Sequence, residues 1–82
     1  MTRGELLERF QTEASEITER EISVTEDTAI ADLGMDSLSL LELVGTFERT
    51  LSIRIDSEDL ADVTTVAELL DVVEARRTRV AC

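Results

Sequence analysis

One hydroxyl in this chain is placed to take a chemical modification: Ser37, in the run Leu33-Gly34-Met35-Asp36-Ser37-Leu38. A helix-periodic stretch, Ser39 to Glu48, follows at once. Asp36 suits the N-cap of that helix, because its carboxylate can accept from the free N–H groups of the first turn. Ser37 then projects from a helix N-terminus, where unpaired N–H groups and the helix dipole favour a phosphate attached there. The sequence has no His. No Ser-His or Cys-His pair is therefore possible, and the usual neutral-pH general base is missing. Ser37 is expected to be acted upon rather than to act. Its alternative role is a second helix cap.

The helix that must position Ser37 has more apolar residues than one buried face needs. Leu40, Leu43, Val44, Phe47 and Leu51 follow the spacing of a core stripe. Leu38 and Leu41 lie on another stripe, continued by Gly45 and edged by Glu42 and Glu48. One reading is a helix packed on all sides. The other is an exposed face for partners, with small apolar contacts inside an acidic rim. Gly45 costs this helix about 1 kcal/mol relative to Ala.

The rest of the 82 residues reads as one small helical domain. There is no Pro, and apolar residues mostly repeat at helical spacing. The expected fold is all-α: a small four-helix bundle with a long first loop and a short third helix. Thr2 and Glu5 have capping-box spacing, and Leu6, Leu7, Phe10, Ala14 and Ile17 form one face of a helix over about residues 3–18. Residues 19–36 show no sustained period; Ile22, Val24, Ile30 and Leu33 can pin this loop to the core. The second helix covers about residues 37–51. Ser52-Ile53-Arg54-Ile55 alternates but has no partner strand, so an extended loop is expected. Asp56 to Asp62 reads as a cap and a single helical turn at about 57–61. It fails the calcium-loop pattern, since Leu60 and Ala61 replace the ligand and the turn glycine. Thr65 and Glu68 form another capping box. Val66, Leu69, Leu70 and Val73 follow as a buried face, and Arg76, Arg77 and Arg79 suit a helix end, placing the last helix at about 65–76.

The net charge of −11 argues against nucleic acid as a partner. It suits solubility, or basic protein partners steered by charge. Eight Lys plus Arg residues are present, and all are Arg. A single cysteine, Cys82, precludes a disulfide within the chain, which fits a reducing cytoplasm. No signal peptide, membrane-length apolar run or metal-ligand set is evident.

The run around Ser37 resembles the Gly-x-Asp-Ser-Leu signature of acyl carrier proteins. The match is positional: Asp36-Ser37-Leu38 follows Leu33-Gly34, precedes Glu42-Leu43-Val44, and lies ahead of Ile55-Asp56 and Val63-Thr64-Thr65-Val66. The likeness is strongest from Ile30 to Val73. It implies that Ser37 carries 4′-phosphopantetheine, transferred from coenzyme A by a phosphopantetheinyl transferase, with an acyl group held as a thioester. It also implies that Leu38, Leu41, Glu42 and Glu48 meet partner enzymes. Gly45 stands where a larger apolar residue is usual, and Arg49 where an acid is frequent. Val44, Phe47, Ile55, Leu60, Val63 and Leu69 are candidates to line a seam that admits the acyl chain; a tightly filled core is the alternative.

The expected role is thus a non-catalytic, discrete, monomeric cytoplasmic carrier serving an acyltransferase, acyl ligase or ketosynthase, in a bacterial polyketide or related pathway. Two rivals remain. One is an aminoacyl or peptidyl carrier, and the other is a small acidic helical adaptor without a prosthetic group.

Overall fold

The computed structural model describes residues 2–81, with side chains through residue 77. Cys82 lies outside the described residues. Four helices follow in order: α1 (Arg3–Thr18), α2 (Ser37–Leu51), α3 (Ser57–Leu60) and α4 (Val66–Ala81). A single 3-10 turn, Ile30–Leu33, interrupts the long first loop. No strand forms among the described residues, and the fold is the all-α bundle expected.

α1 begins on a complete capping box. Thr2 Oγ1 accepts from the Glu5 N–H, and Glu5 Oε1 accepts from the Thr2 N–H. The fully buried centre comprises Leu6, Phe10 and Ala14 of α1, Leu43 and Phe47 of α2, and Val66, Leu69, Leu70 and Val73 of α4. Each set recurs at three- and four-residue spacing, so one stripe of each helix turns inward. The four loop anchors Ile22, Val24, Ile30 and Leu33 are all buried. Ile53 and Ile55 also enter the core from the connection between α2 and α3.

The first loop is held by more than apolar anchors. It runs antiparallel to the start of α4, with a bridge pairing Ala29 and Thr65. The Ile30 N–H donates to the Thr64 carbonyl at 2.9 Å, and the Val66 N–H donates to the Thr28 carbonyl at 2.9 Å. The Ala67 N–H donates to the Glu26 carbonyl, also at 2.9 Å. Arg3 ties the same corner together, reaching Glu26 at 2.8 Å, Asp71 at 3.0 Å and Glu74 at 3.2 Å.

Two boundaries differ from the sequence reading. α3 ends at Leu60, one residue short of the expected span. α4 continues to Ala81 instead of ending near Arg76. Residues 77–81 contain neither Gly nor Pro, so nothing in the chain stops the helix there. Arg76 is not a C-terminal cation but a mid-helix tie to α3, paired with Asp59 and, at 3.9 Å, with Asp56.

Candidate functional site

The four helix N-termini are not equivalent. At α1 and α3, capping boxes occupy the third-residue N–H with the cap side chain, the Thr2 hydroxyl or the Asp56 carboxylate, and a reciprocal acid, Glu5 or Asp59, takes the cap residue's own N–H. At α4, loop carbonyls take two N–H groups, and the Thr65 hydroxyl accepts from the Glu68 N–H at 3.2 Å. α2 alone has a cap without the reciprocal acid, because its third residue is Ser39. Asp36 Oδ1 accepts from the Ser39 N–H at 2.8 Å. That bond holds the Asp36 carboxyl below its ordinary range and keeps it charged.

Ser37 is the first residue of α2 and is exposed. Among the described residues its hydroxyl has no hydrogen-bond partner, so Asp36 does the capping and Ser37 does not share it. The first-turn N–H groups of a helix have no intrahelical acceptor. A free hydroxyl at such a position fits a phosphodiester: the oxygen is accessible, and the dipole favours the added negative charge.

The turn before Ser37 is set by a contact that the sequence does not advertise. Gly34 has φ +72, the left-handed region that favours glycine. The Arg20 Nη2 donates to the Leu33 carbonyl at 2.7 Å. A Cβ on Gly34 would lie 2.7 Å from that same nitrogen. Gly34 is thus required both for its backbone conformation and for the space Arg20 uses.

Beyond Ser37, α2 presents the predicted second stripe. Leu38 and Leu41 are the exposed large apolar side chains among the described residues, 66% and 52% exposed. Glu42 is exposed beside them, and Gly45 is half-buried. The Arg49 Nη1 lies 3.5 Å from where a Gly45 Cβ would be, so the guanidinium folds back along this stripe. Glu48 is half-buried, and its Oε2 accepts from the Ile55 N–H at 2.9 Å. It stands apart from the exposed group, serving the connection that follows α2.

The candidate seam residues sit together in the core. Phe47 and Leu69 are fully buried, Val44 and Ile55 nearly so, and Leu60 and Val63 pack partly buried against them. In this structure these positions are filled by side chains.

Comparison with known proteins agrees with this geometry. Residues 8–73 match a family model described as the phosphopantetheine attachment site. The acyl carrier protein of Thermotoga maritima is 39% identical over 57 residues, covering 68% of this chain and 70% of that protein. The monensin polyketide synthase acyl carrier protein of Streptomyces virginiae is 46% identical over 50 residues, covering 61% of this chain and 57% of that one. A non-reducing polyketide synthase of Stachybotrys bisbyi is 44% identical over 50 residues, and this chain spans 2% of its length. The crystal structure of the Thermotoga maritima acyl carrier protein superposes with a TM-score of 0.85 at 29% identity, covering 95% of this chain and 93% of that one. With its all-α fold and these matches, the chain belongs to the acyl carrier proteins, non-catalytic carriers that bind phosphopantetheine.

Proposed function

We propose that Ser37 is the attachment point for 4′-phosphopantetheine and that the chain carries acyl intermediates in polyketide or related natural-product biosynthesis. The observation that carries this reading is the exposed, unpartnered Ser37 hydroxyl at the one helix N-terminus lacking a reciprocal acid. When bound, the group supplies a terminal thiol that holds the cargo as a thioester. The protein's own contribution is positional. Asp36 fixes the start of α2, the Arg20–Leu33 bond and Gly34 fix the turn, and Leu38, Leu41 and Glu42 give partner enzymes a surface to dock on.

The transferase that modifies Ser37 supplies its own Mg²⁺ site. A ketosynthase, acyltransferase or acyl ligase then exchanges cargo with the thiol. The polyketide assignment draws on the Streptomyces virginiae and Stachybotrys bisbyi relatives, an acyl carrier protein of a polyketide synthase and a polyketide synthase. A cytoplasmic setting suits this work, and no helix among the described residues is long and apolar enough to cross a membrane.

Two measurements test the proposal. Peptide fragmentation after reaction with coenzyme A and a broad-specificity transferase should place the added mass on Ser37. Incubation of the modified protein with acyl and aminoacyl ligases should then yield acyl thioesters. Exclusive aminoacylation would reassign the cargo while leaving the carrier role intact.

A further inference from the structure

Among the described residues two arginines are unpaired, and both line the same surface depression. Arg3, Arg9 and Arg76 are engaged in ion pairs. Arg20 is bound to the Leu33 carbonyl. Arg49 and Arg54 are exposed and have no ion-pair or hydrogen-bond partner among the described residues. Together with Glu48, Ser52 and Ile53 they line a depression at the C-terminal end of α2. Glu48 brings one negative charge to the lining but forms no ion pair with either arginine, its Oε2 accepting from the Ile55 N–H instead, so two positive charges face one negative.

Arg49 also belongs to the exposed stripe. Leu38, Leu41, Gly45 and Arg49 succeed one another at three- and four-residue steps, which places them on one face of α2. From Leu38 to Arg49 the face covers about 16 Å of helix axis. Its electrical character reverses along that length. Glu42 stands beside the leucines near Ser37, while Arg49 and Arg54 stand at the far end.

We infer that the depression lined by Arg49 and Arg54 receives acidic side chains of the partner enzyme that docks on α2, making the docking face two-signed. This deepens the carrier reading above and rests on it. A two-signed face selects orientation as well as partner. An enzyme surface that is basic throughout would match Glu42 but meet repulsion from both arginines. An enzyme with a basic group near its entrance and an acid about 16 Å away would match along the whole face. Arginine suits the far end, since its fork can meet a carboxylate bidentately.

The test uses the full-length, ¹⁵N-labelled protein. It is titrated with a synthetic peptide bearing leucines and glutamates, with the same peptide bearing lysines in place of glutamates, and with inorganic phosphate at matched ionic strength. The glutamate peptide should shift the amide signals of Arg49, Ser52 and Arg54 together with those of Leu38 and Leu41. The double variant Arg49→Glu/Arg54→Glu should weaken that binding about tenfold or more. Arg49→Gln/Arg54→Gln should weaken it less, controlling for any effect of the added negative charge on folding. The lysine peptide should shift signals on the acidic surfaces and leave this depression unmoved. The inference is overturned if the glutamate peptide leaves these signals still, or if the double variant binds it as well as wild type. Equal shifts with phosphate alone would also overturn it, by making the depression a small-anion site. The carrier reading fails on a separate readout, the absence of phosphopantetheine mass on wild-type protein.

Discussion

Glu48 Oε2 accepts the Ile55 N–H at 2.9 Å, joining the last turns of α2 to the loop that carries two isoleucines into the core. The bond gives a structural task to an acid that the sequence pattern places on the partner-facing rim. Glu48→Ala should therefore lower stability by about 1 kcal/mol, and Glu48→Arg should do at least as much, because Ile55 is buried and its N–H would lose its acceptor. Urea midpoints of the two variants check this. A variant as stable as wild type would show that solvent replaces the carboxylate without cost.

Glu42 is the clean site for testing docking charge. It is exposed, so Glu42→Arg should leave the urea midpoint nearly unchanged while slowing modification of Ser37 severalfold. Leu41→Ala, at a side chain 52% exposed, should behave the same way through lost apolar contact. The wild-type rate should also fall as salt rises, since exposed charges are screened. The check is a time course of intact mass at several ionic strengths. Rates indifferent to both substitutions and to salt would move partner recognition off α2.

Arg20 and Gly34 should be coupled. Gly34→Ala should destabilise by about 1–2 kcal/mol from the left-handed backbone alone. The new methyl also collides with the Arg20 guanidinium, whose Nη2 lies 2.7 Å from the Cβ position. Arg20→Ala removes that collision but also removes the bond to the Leu33 carbonyl. The double variant should therefore be more stable than the sum of the single effects predicts. Additive values in a double-mutant cycle would mean that the side chain swings clear at no cost.

The carboxyls of Glu5, Asp36 and Glu68 are each held below their ordinary values, chiefly by hydrogen bonds at helix starts. For Asp36 the leading cause is the Ser39 N–H, and the ordinary value is 3.8. A folded pKa below the unfolded one gives stability that is present above the unfolded value. It is lost as pH falls through the folded value. Wild type should thus exceed Asp36→Asn in stability at neutral pH, and the difference should shrink as pH drops below about 3.8. Comparing the two proteins cancels the repulsion among the other carboxylates. A difference that grows on acidification would contradict the cap assignment.

Much of the fold is legible because core and cap signals are local. Phe10, Phe47, Leu69 and Val73 each sit within a periodic run, and Thr2–Glu5 and Thr65–Glu68 are capping boxes at their characteristic spacing. Asp36 likewise marks the start of α2. The missed features are nonlocal. Nothing in the spacing ties Arg20 to Leu33, Ala29 to Thr65, or Arg76 to Asp59, because each contact depends on how distant segments fold back. Gly34 is a local sign of the turn, since a glycine closing the approach to a helix often marks a left-handed residue. The far end of α2 escaped for the same reason: Arg49 and Arg54 share a surface only once the connection after Ser52 has turned.

The most direct measurement is the intact mass of wild type and Ser37→Ala after incubation with coenzyme A, Mg²⁺ and a broad-specificity phosphopantetheinyl transferase. Circular dichroism run alongside should show both proteins equally helical, since Ser37 is exposed and Asp36 carries the cap. The account predicts one added phosphopantetheine on wild type and none on the alanine variant. An unmodified wild type, or an alanine variant that gains the same mass, would contradict it.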